Sequence, residues 1–139
     1  MITKTSVSSE ISDADFRTKE VLKQKVQEAS EWKTDIVNNK NRLKLNYCEI
    51  CNSKEHLEQH HVRGRKHGNE IITVCQECHN ILTDKQRLWD RSWHDPDSSN
   101  KDSFLIRGLI DVFELKYEKT GFEYYKEMAK QLTKRFKYD

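Results

Sequence analysis

At 139 residues and a formal charge of +2, the chain is most simply one domain, with room for a helical arm. Apolar and charged residues each make up 35% of it, so the core is thin, the surface is heavily solvated, and a structural metal becomes a natural source of folding free energy. The N-terminus, Met-Ile-Thr-Lys-Thr-Ser, lacks the apolar run of a signal peptide and no membrane-length apolar stretch follows, so a reducing, cytoplasmic setting is expected.

Residues Met1 to Ser9 are polar and read as disordered. A helix is predicted from about Ser12, which can cap it, with Asp13 and Asp15 near its positive end. Phe16, Val21, Leu22, Val26, Ala29, Trp32, Ile36 and Val37 recur along it at three- and four-residue steps, and Asn38-Asn39 supplies a stop. Such a stripe either packs on the rest of the domain or forms a homodimer through this helix.

Arg42 to Tyr47 leads into a turn at Cys48-Glu49-Ile50-Cys51. Leu57 to Val62 reads as a strand, Arg63-Gly64-Arg65-Lys66-His67-Gly68 as a glycine-relaxed turn, and Ile71-Ile72-Thr73-Val74, β-branched throughout, as the returning strand. After Cys75 the pattern becomes helical, with His79, Ile81, Leu82, Gln86 and Trp89 along it. Trp93 to Asn100, holding the only proline, reads as a linker loop. Two helices follow. Ser103 can cap the first, whose apolar face is Phe104, Leu105, Leu109, Val112 and Phe113. Thr120-x-x-Glu123 suits a capping box for the second, with Phe122, Tyr125, Met128, Ala129, Leu132 and Phe136 as its stripe. The expected class is α+β, mostly helical: an N-terminal helical arm (1–39), a metal-stapled module (40–92) and a C-terminal helical pair (93–139).

All four cysteines fall in two Cys-x-x-Cys pairs, Cys48/Cys51 and Cys75/Cys78, separated by 23 residues. Each pair sets two thiolates close enough to grip one ion, and four complete the tetrahedral shell that Zn²⁺ prefers. Enclosed between them is the doubled histidine His60-His61, and His79 follows the second pair directly. Charge is uneven: Lys40 to His67 carries seven Lys or Arg against three acids, whereas Gly68 to Asp102 carries four against seven. The basic excess lies on the segment with the paired histidines and suggests a polyanionic partner.

His60-His61 ending a strand, Cys75-x-x-Cys78-His79 opening a helix and the preceding Cys48-x-x-Cys51 together resemble the HNH endonuclease family, a ββα-metal fold. The match covers about a third of the chain, from Tyr47 to Gln86. The resemblance implies a DNA endonuclease in which His61 is the general base, His60 and His79 hold a catalytic divalent ion (Mg²⁺ or Mn²⁺), and the cysteines hold a separate structural Zn²⁺. It also implies a phage, mobile-element or defence setting. The chemistry agrees, since phosphodiester hydrolysis needs a base for water and a cation to offset charge on the phosphorane. Successive side chains of a strand point to opposite faces, so His60 and His61 have different tasks. Arg63, Arg65 and Lys66, in the turn beside the base, are candidates for gripping the DNA backbone.

One position departs from the family. Its middle asparagine falls at Glu70 here, with Asn69 as neighbour. Either Asn69 takes the bracing role after a one-residue adjustment, or Glu70 accepts a hydrogen bond or coordinates the ion. Two other readings compete with a nuclease. A non-catalytic zinc ribbon that binds nucleic acid or acts as an adaptor needs only the cysteines, and so does a redox or iron–sulfur protein. His60, His61 and His79 separate the nuclease from both.

Overall fold

A computed structural model of the chain describes residues 2–39, 41–65, 68–89 and 103–135, with side chains from residue 19 onward. The class is α+β and mostly helical. The elements are α1 (Ile2–Asn38), β1 (Leu57–His61), β2 (Ile71–Cys75), α2 (Gln76–Gln86), α3 (Ser103–Thr120) and α4 (Glu123–Arg135). Lys66, His67, the 93–100 loop with Trp93 and His94, Phe136 and the Phe16 side chain lie outside the described residues.

The N-terminal helix starts at Ile2, not near Ser12 after a disordered lead. Neither glycine nor proline occurs before Gly64, so nothing halts helix propagation toward the terminus and Ser12 is merely an interior residue. The stripe divides in its burial. Ala29 and Ile36 are buried and Trp32 packs on the core, whereas Val21, Leu22 and Val26 stay exposed. Among the described side chains of the stripe, burial therefore begins at Ala29.

The strands form one antiparallel hairpin with His60 opposite Ile72 and His61 opposite Ile71. A two-stranded hairpin is marginal alone, and here both faces are covered. Ile72, Thr73, Val74 and Cys75 are all buried. Thr73 is the polar member of this β-branched run because it docks the first Cys pair. Its carbonyl accepts from Glu49 N (2.8 Å), its N–H donates to Glu49 Oε2 (2.6 Å), and its hydroxyl accepts from Leu45 N (2.9 Å).

α3 is the central helix. Its buried residues, among them Phe104, Gly108, Asp111 and Phe113, point in every direction round the axis, as expected for a helix enclosed by neighbours. α4 covers one side, α2 another, and Trp32 of α1 meets Phe113 edge-on at 5.5 Å. Gly108 sits directly against the end of β1, where a Cβ would lie 1.8 Å from the Val62 carbonyl oxygen.

Thr120 serves both helices: it is the last residue of α3, and its hydroxyl accepts from Phe122 N (3.3 Å) at the entry to α4. Its hydroxyl donates to the Lys116 carbonyl (2.6 Å), and Gly121, in the left-handed region at φ 74°, returns its N–H to the Tyr117 carbonyl (2.7 Å). Glycine makes that C-terminal stop cheap, and the stop coexists with the Thr120 half of the capping-box pattern. Phe122, expected on the buried stripe of α4, is consequently exposed, while Tyr124 takes the buried place. Trp89 lies beyond the end of α2, stacked near Phe104 and donating to Asp111 Oδ2 (2.9 Å).

Candidate metal centre and histidine site

The first Cys pair lies on a tight turn. The Cys48 carbonyl accepts from Asn52 N (2.9 Å), Cys48 N donates to the Ser53 carbonyl (2.7 Å), and Asn52 takes a left-handed φ of 64° that asparagine tolerates well. The second pair spans the end of β2 and the first turn of α2, because Cys75 ends the strand and Cys78 lies one turn in. The hairpin brings the turns together. All four Sγ atoms lie within 4.8 Å of one another, with Cys51 and Cys75 at 3.6 Å. Tetrahedral Zn–S bonds of about 2.3 Å need S–S edges of about 3.8 Å, so this donor set fits one zinc ion. Cys48, Cys75 and Cys78 are buried and Cys51 is half-buried, as in a closed structural site. A hydrogen bond from the Cys78 thiol holds the Cys48 thiol well below its ordinary pKa, and the same contact pushes Cys78 up.

A polar hub fixes the first turn from behind. Glu49, almost fully buried, is held by the Arg42 guanidinium through both terminal nitrogens and accepts from Trp32 Nε1 at 3.0 Å. Arg42 also reaches Asp35 (2.6 Å) and the Ile71 carbonyl (3.2 Å). One ion pair thus ties α1, the Cys48 turn and β2 together. Sequence reading found the turn but not this hub, since nothing in the spacing marks Glu49 as inward-facing.

The histidines sit where β1 meets α2. His60 is 2% exposed, and its ring packs edge-to-face on His79 with centroids 5.5 Å apart. Burial first, then the charges of His79 and His61, hold the His60 imidazole down to about 3, so it is neutral across the physiological range. Gln86 steadies the junction by donating to the His61 carbonyl (2.9 Å), with the same nitrogen 3.3 Å from His60 Nε2. The side-chain amide of Gln86 thus joins Gly64 N (3.0 Å) on the His61 carbonyl and ties α2 to the end of the strand. His79 Nδ1 meets the Glu58 carboxylate. Two residues before His60, Glu58 shares its face of the strand, and Gln86, seven after His79, shares its face of the helix. Both partners were open to detection by that spacing.

His61, on the other face of β1, is half-buried. Burial leads in lowering its pKa, followed by the charges of Arg65 and His79. Its imidazole is therefore unprotonated at neutral pH. Glu70 lies one step past the His61–Ile71 pair, its carbonyl accepting from Val62 N (2.9 Å) and its carboxylate from Arg63 Nε (2.8 Å). Asn69 and Arg65 are exposed. Among the described residues, the cysteines are the one set of three or more Cys, His, Asp or Glu whose donor atoms converge. His60 and His79 form a pair, and the Glu58 carboxylate meets only His79 without completing a convergent set of three among the described residues.

No protein-family model matches the chain, and neither does any curated protein or solved structure. Among the described residues no helix is long and apolar enough to cross a membrane.

Proposed function

We propose that the chain is a metal-dependent DNA endonuclease of the HNH type, its β1–β2–α2 segment being the ββα-metal module. One observation carries the reading: His60 and His79, from strand and helix, are packed together in a junction where His60 is kept neutral. Burying an imidazole has a cost, and a protein that needed only a core residue here would use an apolar one. Neutral imidazole is the state that binds a metal.

In this reading His60 and His79 hold a divalent ion, Mg²⁺ or Mn²⁺. Phosphate oxygens and water complete its shell, since among the described residues no third donor converges with the two histidines. The ion supplies charge neutralisation at the phosphorane and the leaving oxygen. His61, on the outward face and unprotonated, takes a proton from the attacking water. Glu58 accepts from His79 Nδ1 and fixes its ring, leaving Nε2 for the ion. Arg65 is placed to meet backbone phosphates, and Lys66 belongs to the same basic turn. Arg63 acts through Glu70, which it orients. Asn69 remains the candidate brace of the turn. A homodimer through the exposed Val21, Leu22 and Val26 of α1 would present two such sites to a duplex.

A supercoiled-plasmid assay with Mg²⁺ or Mn²⁺ tests this. Nicking by the native chain is expected, with loss of at least about a hundredfold in His61→Ala, given the typical weight of a general base, while zinc content and fold stay intact. Equal cutting by both proteins removes His61 from the mechanism. Retention of DNA without cutting by either protein favours the non-catalytic zinc ribbon, for which convergence of the cysteines alone is the supporting observation.

A further inference from the structure

Four thiolates around Zn²⁺ leave a net charge of −2, and here three of the four ligand residues are buried. Such a charge needs a counter-ion within the protein. Arg42 does not serve, since its guanidinium is committed to Glu49 and Asp35. The cations that reach the cluster come from the last turns of α3. Lys116 Nζ donates to the carbonyl of Glu49, inside the first Cys-x-x-Cys turn. Lys119 Nζ pairs at 2.9 Å with the carboxylate of Glu77, inside the second. One helix thus contacts both halves of the cluster through lysines three residues apart.

The two lysines differ in setting. Lys119 meets a largely exposed carboxylate, so that pair is a weak surface bridge. Lys116 is half-buried: its ammonium lies 5.2 Å from the centroid of the Trp32 ring and 5.6 Å from that of Tyr125. Burial lowers its pKa, while the charges of Cys48, Glu49, Cys51 and Cys78 act to keep it protonated. A lysine placed there with ring faces, one carbonyl and a Glu49 carboxylate already paired with Arg42 would lack a counter-charge of its own. With a dianionic cluster beside it, the choice makes sense.

We propose that Lys116 is the charge-compensating residue of the four-cysteine metal centre, so that α3, outside the cysteine-bearing segment, determines how tightly the metal is held. The inference does not depend on the nuclease reading, and loss of nicking activity has no bearing on it. Outer-shell partners of metal sites are worth about 10–100-fold in affinity.

The test uses the full chain loaded with Zn²⁺ and titrated with a chromophoric chelator, together with unfolding of the metal-free, reduced chain. Lys116→Met keeps the aliphatic stem and should hold zinc about 10–100-fold less tightly, with the metal-free chain as stable as the native one or more so. Lys116→Arg, which keeps the charge, should stay within about threefold of the native affinity, and Lys119→Gln likewise. If the metal-free chain is unfolded, the contrast between the Met and Arg variants decides. Equal loss in both variants, unchanged affinity in Lys116→Met, or parallel loss of zinc affinity and metal-free stability would each overturn the proposal in favour of simple packing.

Discussion

Replacing Gly108 with alanine should destabilise the protein, against the usual sign of that change. In a helix interior Gly→Ala is worth about 1 kcal/mol of added stability, because alanine has less backbone entropy to lose. Here the new Cβ would stand 1.8 Å from the Val62 carbonyl oxygen and 2.7 Å from its carbon. Ordinary contact is about 3.5 Å, and backbone atoms cannot turn away as a flexible side chain can. α3 must therefore retreat from β1 by well over 1 Å, opening its contacts with Val62 and with the Gln86 amide that binds the carbonyls beside it. Overpacking of a tight core costs about 1–3 kcal/mol, and the lost packing adds to it. The expected net loss is about 2 kcal/mol, a fall in Tm of roughly 6–10 °C for a domain of this size. Thermal unfolding by circular dichroism reads it directly. A Gly108→Ala protein melting at or above the native temperature would refute the close approach of α3 to the strand. Gly121→Ala gives a contrast: nothing stands near its Cβ, so only the positive φ matters, and a loss of about 1 kcal/mol is expected.

Glu49→Gln should cost about 3–4 kcal/mol in chemical denaturation, since it leaves the buried Arg42 guanidinium short of its counter-charge. A loss below about 1 kcal/mol would show that Asp35 alone suffices for Arg42. Cys48→Ser, or prolonged chelation of the native chain, should unfold residues 41–86, seen as loss of hydrogen-exchange protection in β1 and β2, because metal binding there is folding free energy. Protection that survived complete zinc removal would mean that the hub at Glu49 is enough. His60 gives a pH signature. Its imidazole is held to about 3 in the folded chain, against about 6.5 when unfolded, so below pH 6.5 the unfolded chain takes up a proton that the folded one refuses. Stability should therefore fall with pH across that window, by about 2 kcal/mol between pH 6.5 and 5, and His60→Gln should flatten this limb. An unchanged slope in that variant would assign the acid sensitivity to the cysteines.

The elements that carry a local signature were readable from the sequence. The hairpin announced itself through Ile71-Ile72-Thr73-Val74 and a glycine-bearing turn, the metal centre through Cys-x-x-Cys spacing, and α3 through Phe104, Leu109 and Phe113. Strand alternation correctly separated His60, inside, from His61, half outside. What escaped was set by tertiary context. Thr120 answers to two local signals at once, ending α3 before Gly121 and accepting from Phe122 N, and spacing alone showed only the second. The change from exposed Val21, Leu22 and Val26 to buried Ala29 and Ile36 along the α1 stripe depends on where the other helices lie. Glu49 and Lys116 look like ordinary surface charges in a chain that is 35% charged, and only the folded arrangement buries the first and half-buries the second.

That burial explains how so polar a chain builds a core. Its apolar cluster is contributed by every element, yet the middle segment adds only Ile50, Val62, Ile72, Val74 and Leu82 besides its cysteines. Too few apolar groups lie there to hold two short strands. The deficit is met by polar links that each join distant parts of the chain: the cysteines join 48–51 to 75–78, Arg42–Glu49 joins α1 to β2, and Gln86 joins α2 to the end of β1. Directional links specify geometry more sharply than hydrophobic contact does, because a displaced hydrogen bond leaves a buried group unsatisfied. His60 and His79 are carried by the two elements most tightly bound in this way. The placing of the two imidazoles is therefore a consequence of how the module is stabilised, and loosening the Gln86 link, which touches β1 beside His60, should disturb the histidine junction directly.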